Sequence, residues 1–232
     1  MKKYLQKYLI DIILQEFVEL KNECGIFYFR YPTNDKGKIS SITLKKFLAV
    51  KGDGKSTIKE LILSNNRAKV YYNLIYQSED IKLDEIPCKN KKIYLSAIGN
   101  HCKGTQFING NHLISNELHH TFDQINKSIK GWYYGRLDIK YNSFEELERG
   151  ENIKILEING IIAEPTHIYD RRSYSYFRAL KDIRTHWKNL YKIAVINHKI
   201  LNTPYKKAKE FSKELLQLKN YIVTIKNFES DN

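Results

Sequence analysis

The chain has 232 residues, a formal net charge of +13, 42% apolar residues and 28% charged residues. That length buries a real core, as one large domain or two small ones, and the composition excludes a disordered tail. No apolar run approaches the ~20 residues of a membrane span.

The N-terminal MKKYLQKYLIDIILQEF starts basic, but Gln6, Lys7 and Asp11 interrupt its apolar stretch and no small-residue cleavage site follows. That speaks against a signal peptide. Residues 2–13 instead predict a helix, with Tyr4, Leu5, Tyr8, Leu9 and Ile12 at spacings of three and four. ILQEFVEL is strand-like, and GIFYFRYP is an aromatic strand closed by Pro32. After the turn TNDKGK, ISSITLKKFLAV predicts a second strand, hairpinned to the first. KGDGKSTIKELIL is a glycine loop feeding a helix with the Thr57/Glu60 capping-box spacing. Residues 66–86 predict helix plus loop, and KKIYLSAIG a strand.

A helix follows over about 116–129, with Leu118, Phe122, Ile125 and Ile129 on one face and Gly131 as its stop. WYYGRLDIKY predicts a strand, NSFEELERGEN a capped turn of helix (Ser143 to Glu146), and IKILEIN another strand. A long helix covers about 174–197. Its apolar stripe of Leu180, Ile183, Trp187, Leu190 and Ala194 is expected in the core. A last helix spans 205–218. The pattern is α+β, with an antiparallel core sheet and flanking helices. Cys24, Cys88 and Cys102 form no CxxC pair, which argues for a reducing, cytoplasmic setting and against structural zinc.

Two strands carry polar groups where a core strand should not. In WYYGRLDIKY, Arg136 and Asp138 share a face opposite Leu137 and Ile139; in IKILEIN, Glu157 and Asn159 share one opposite Leu156 and Ile158. If the strands pair, Asp138, Glu157 and Asn159 converge beside Arg136. Such hard oxygen ligands suit Mg²⁺, and a guanidinium there can grip phosphate or carboxylate oxygens. Alternation alone leaves open a second face that is simply solvated, with surface ion pairs.

GRLDIK, followed by LEIN with nineteen residues from Asp138 to Glu157, resembles the metal signature of the ATP-grasp superfamily. GDGKST, IGNHCKGTQF, YGRLDIKYNSFEEL and ILEINGIIAEPTHIYD are similar to bacterial proteins of the D-alanine–D-alanine ligase-like group. The similarity runs from ILQEFV to the helix of Trp187. It implies an ATP-grasp-like fold and an ATP- and Mg²⁺-dependent ligase joining a carboxylate to an amine through an acyl phosphate. Asp138, Glu157 and Asn159 would be metal ligands and Arg136 the residue stabilising the intermediates. ILQEFV would be the hinge strand, with Glu16 at adenine and Glu23 at the ribose hydroxyls, where acceptor-only carboxylates suit N–H and O–H donors. KGDGKST is no Walker A loop, since Ala49 stands where glycine is required. It could still bind phosphate through backbone N–H groups and Lys55, or be a tight turn with a good cap. Lys45 and Lys46 are rival phosphate-binding lysines, and Lys46 is the one taken. Asn100, His101 and His167 are candidate substrate contacts.

The resemblance divides the chain into a partial nucleotide lobe over 1–65, a catalytic lobe over 66–200 and a helical tail over 201–232. Family members carry more N-terminal structure, so a second polypeptide is expected to supply it, or the gene is truncated, or activity is lost. The implied partners are small carboxylate and amine substrates, with oligomerisation left open. The rival reading is a non-catalytic nucleotide- or nucleic-acid-binding protein using residues 171–209. These hold eleven Lys or Arg and one acid, Asp182. Nucleic acid ranks second, because no zinc-finger, KH or RNP pattern is present.

Overall fold

The computed structural model describes residues 13–78, 81–96, 98–170 and 174–230. The expected helix over 2–13 therefore lies almost wholly outside the described residues. Two compact units emerge: residues 19–196, and a second comprising 1–18 with 197–232.

The larger unit is built on a five-stranded sheet. Its strands are β1 (Asn22–Phe29), β2 (Lys38–Lys46), β5 (Gln106–Asn109), β6 (Tyr134–Tyr141) and β7 (Ile153–Asn159), in the order β5-β2-β1-β6-β7 with every pair antiparallel. The expected β1–β2 hairpin forms, and so does the β6–β7 pair. β1 of the segment expected to end at residue 65 pairs with β6 of the segment expected to follow it. Residues 13–20, expected as a hinge strand, have no regular structure.

Alternation sorts the sheet into two unlike faces. Cys24, Ile26, Ile42, Leu137 and Ile139 are fully buried on one face. They pack under α3 (Asn116–Lys127) and α4 (Phe144–Arg149), which contribute Leu118, Phe122 and Leu147. Both helices start where the sequence places a cap: Ser115 accepts from the Leu118 N–H, and Ser143 from that of Glu146. Gly150, at φ 71°, ends α4 in a left-handed cap that favours glycine.

The long strand expected over 39–50 is split. After β2, the short β3 (Ala49–Lys51) pairs with β4 (Lys92–Tyr94) in a separate two-stranded sheet. This small sheet, with α1 (Ile58–Ser64) and α2 (Tyr72–Ser78), encloses a second apolar cluster of Leu48, Val50, Ile58, Ile62, Ala68, Ile75 and Leu95. The expected capping box of Thr57 and Glu60 opens α1.

The long helix α5 (Tyr176–Ile200) forms, but it turns a different side inward from the one its apolar stripe suggested. Trp187 is 66% exposed and Leu180 is also exposed, while His186 and Ile193 are buried. Ile193 and Leu190 pack with Phe27 and Tyr134 on the far side of the sheet. The reason lies in the sheet: its second face presents aromatic rings, and His186 sets its imidazole edge-on 4.4 Å from Phe27. In the other unit, α6 (Ala208–Ser230) extends past the end expected at 218. Among the described residues, no helix is long and apolar enough to cross a membrane.

Candidate functional site

The second face of the sheet is polar at its centre, and strand register says which residues meet there. Asn109, Thr43, Gly25, Asp138 and Glu157 form one row across all five strands. Beside it, Phe107, Lys45, Glu23 and Lys140 form a second row, and Ser41, Phe27, Arg136 and Asn159 a third. Gly25 leaves room for this cluster: a Cβ would stand 3.0 Å from the Arg136 side chain and 3.1 Å from Asp138 Oδ1, so both would have to give way.

Register slips once between β6 and β7, at Asp138/Ile139, where Leu156 is the extra residue on β7. The bulge has a consequence for aim. Simple alternation puts Ile155 and Glu157 on one face, whereas here Ile155 opposes Ile139 of the apolar face and Glu157 opposes Asp138 of the polar one. The four residues expected to converge do so. Arg136 Nε donates to Asp138 Oδ1 at 2.7 Å, Nη2 to Oδ2 at 3.3 Å, and Nη1 to the Glu164 carbonyl at 2.9 Å. With its amide turned to satisfy both neighbours, Asn159 donates to Glu157 Oε1 (3.1 Å) and accepts from Arg136 Nη2 (3.2 Å).

Lys45, not Lys46, is the lysine at this centre. Its Nζ lies 2.5 Å from Glu23 and 3.3 Å from Asp138, and all three side chains are nearly inaccessible. Lys46 is exposed and belongs to the opposite set of side chains along β2. Ser41, Thr43 and Lys45 alternate along the strand, a polar period of two that marks this face in the sequence.

The other expected residues fall elsewhere. Glu23 is 5% exposed and its carboxylate is held by Lys45. Gly99 packs on it so closely that a Cβ would meet its oxygens at 2.6 Å. It is an internal ion-pair partner, not a free acceptor for ribose hydroxyls. Glu16 is exposed, in the irregular stretch 13–18 of the other unit. Lys55 is exposed, and its loop is internally satisfied: Asp53 Oδ1 accepts from the N–H groups of Lys55 and Ser56, both at 2.8 Å. These bonds hold the Asp53 carboxyl down at about 2. The Lys55 and Ser56 N–H groups are therefore already engaged within the loop. Asn100 caps the short turn His101–Lys103 by accepting from the Cys102 N–H. The His101 ring lies 5.6 Å from Phe107.

His167 is fully enclosed. Its backbone N–H donates to Thr43 Oγ1 (3.1 Å), that hydroxyl meets its Nδ1 (3.3 Å), and its Nε2 faces Asp182 Oδ2 (3.0 Å). Thr43 can give its one proton to Nδ1, so Nε2 carries the hydrogen donated to Asp182. Burial lowers the pKa of the ring and keeps it neutral, against the opposing pull of Asp182. Thr43 and Asp182 were missed from sequence. The single acid in a segment of eleven basic residues was the available signal for Asp182.

The donor set fits a hard divalent cation. Glu157 is exposed and stands opposite Asp138 with Asn159 next to it, so two carboxylates and an amide oxygen share one corner. Among the described residues there is no cluster of three or more His, Cys, Asp or Glu side chains suited to a metal. Both Asp138 oxygens are engaged by Arg136 and Lys45, so Glu157 is the accessible hard donor of the corner, and Mg²⁺ is a cation that accepts so few carboxylates when water and phosphate oxygens complete its shell.

No family model and no curated protein matches the chain. Among solved structures, it superposes on a bifunctional glutathione synthetase from Pasteurella multocida with a TM-score of 0.42 and 16% identity. The superposition covers 65% of this chain and 22% of that enzyme's length. A likeness at this level fixes no activity.

Proposed function

We propose that the chain is an ATP- and Mg²⁺-dependent carboxylate–amine ligase of ATP-grasp type, resembling D-alanine–D-alanine ligases. The observation that carries the reading is the meeting of Arg136, Asp138, Glu157 and Asn159 on one face of β6–β7, in the pattern of the GRLDIK and LEIN motifs. Glu157, Asp138 and Asn159 would hold the cation, and Mg²⁺-nucleotide supplies an activated phosphoryl group to a carboxylate. Arg136 stands ready to offset charge that develops on the reacting oxygens, since its guanidinium is fixed by Asp138 and the Glu164 carbonyl before any substrate arrives. Lys45 neutralises the two buried carboxylates beside it and holds Asp138 in place.

Calorimetry of ATP binding, with and without Mg²⁺, tests this on the full chain and on Glu157→Ala. Binding should require Mg²⁺ and be lost or weakened about tenfold or more in the variant. Equal binding by both proteins would overturn the metal corner.

A binding-only reading has one observation in its favour. The exposed stripe of α5 mixes Phe177, Trp187 and Tyr191 with Arg184 and Lys188, rings and cations that together suit a single-stranded polyanion. That reading predicts binding of oligonucleotides that falls steeply with salt and ignores Glu157→Ala.

A further inference from the structure

At the β5 end of the polar face, between that strand and the first turns of α5, lies an open pocket of about 440 Å³. Asn109, Tyr174, Arg178, Lys181 and Asp182 line it. Asn109 sits in the same cross-strand row as Asp138, three strands away. At a strand spacing of about 4.8 Å, that separates pocket and metal corner by roughly 14 Å. It is a separate place on the same face, and the ligase chemistry above leaves it unused.

We infer that this pocket binds a small carboxylate bearing a neighbouring hydroxyl or amine. Arg178 and Lys181 supply two cations at the mouth, and a guanidinium matches a carboxylate through two parallel hydrogen bonds. Both donors that hold Asp182, Tyr174 O–H at 2.6 Å and His167 Nε2 at 3.0 Å, end on Oδ2. Oδ1 is left for a ligand donor. The same carboxylate repels a doubly charged phosphate ester, so the pocket selects a singly charged acid with a donor beside it. His167 ties this wall of the pocket to Thr43 on the sheet, so Asp182 is fixed before a ligand arrives. The inference does not rest on the ligase reading.

A matched pair of probes tests it: glycerate and glycerol phosphate, titrated into the full chain without nucleotide or Mg²⁺. The readout is the Asn109 side-chain amide in ¹H–¹⁵N NMR spectra, identified with Asn109→Ser. Glycerate should shift that signal saturably, and Arg178→Gln with Lys181→Gln should weaken binding about tenfold or more. Both side chains are exposed, and the spectrum itself reports whether the variant is folded. Asp182→Asn should erase the preference for glycerate over glycerol phosphate. Absence of a saturable shift, or unchanged affinity in the double variant, would overturn the site. Tighter binding of glycerol phosphate by the unaltered chain, or an unchanged preference in Asp182→Asn, would overturn the assignment of the ligand.

Discussion

Lys45 lies between two carboxylates that water barely reaches, and this single side chain reconciles the polar centre of the sheet with its burial. Its removal leaves Glu23 and Asp138 close together in a low-dielectric setting, without the cation that bridges them. Lys45→Met should therefore cost about 3–5 kcal/mol, read as a lower midpoint in urea unfolding. Adding Glu23→Gln to that variant should recover part of the loss. His186 presents the converse case, an ionisable group kept neutral. It is 4% exposed, its Nδ1 has no hydrogen-bond partner among the described residues, and burial pushes its pKa down to about 4. In the unfolded chain it protonates near 6.5. Between those values only the unfolded state takes the proton, so stability falls as pH drops from about 6.5 to about 4 and is unaffected above. The loss amounts to roughly 3 kcal/mol at most. His186→Phe should flatten that part of a urea-midpoint-against-pH curve. His167, shifted in the same direction, would leave a residual slope.

At the scale of elements, α5 shows how a helix chooses its buried side. Its sequence offers two apolar stripes, one through Trp187 and one through Ile193, and the aromatic rim of the sheet at Phe27 and Tyr134 accepts the second. The difference is measurable by unfolding. Trp187→Ala should change stability by less than about 0.5 kcal/mol, as exposed positions do. Ile193→Ala should cost about 2–4 kcal/mol through lost burial and the cavity left behind. Equal effects would show that Trp187 is buried after all. The β6–β7 pair makes a similar point on a smaller scale, since one extra residue, Leu156, turns Ile155 and Glu157 to opposite faces.

Among the described residues, 19–196 contain every strand and all three apolar clusters. A chain of residues 19–200, which keeps α5 to its end, should retain a cooperative thermal transition and the near-ultraviolet circular dichroism of its aromatic rings. A non-cooperative transition would mean that the second unit is needed for the first to fold. Within the larger unit, the sheet has one apolar face under α3 and α4 and one polar face that carries the Arg136, Asp138, Glu157 and Asn159 cluster and the pocket. This two-faced plan lets a row of charged side chains cross a buried sheet without loss of the core.

Much of this plan was legible in local patterns. Alternation in β6 and β7 placed Arg136, Asp138, Glu157 and Asn159 on shared faces, and the capping residues Thr57 and Ser143 stand where two helices begin. Such signals depend on neighbours in the chain, so they survive without knowledge of the fold. Whether Lys45 or Lys46 faced the carboxylates depended on the register with Glu23. The fate of Glu23 depended on Gly99, and that of the glycine loop on where Asp53 turned its oxygens. The buried side of α5 depended on distant rings, Phe27 above all, which meets His186 at 4.4 Å. These are contacts between distant segments, and only packing could decide them: composition states which groups need partners, and the three-dimensional arrangement states which partners they get.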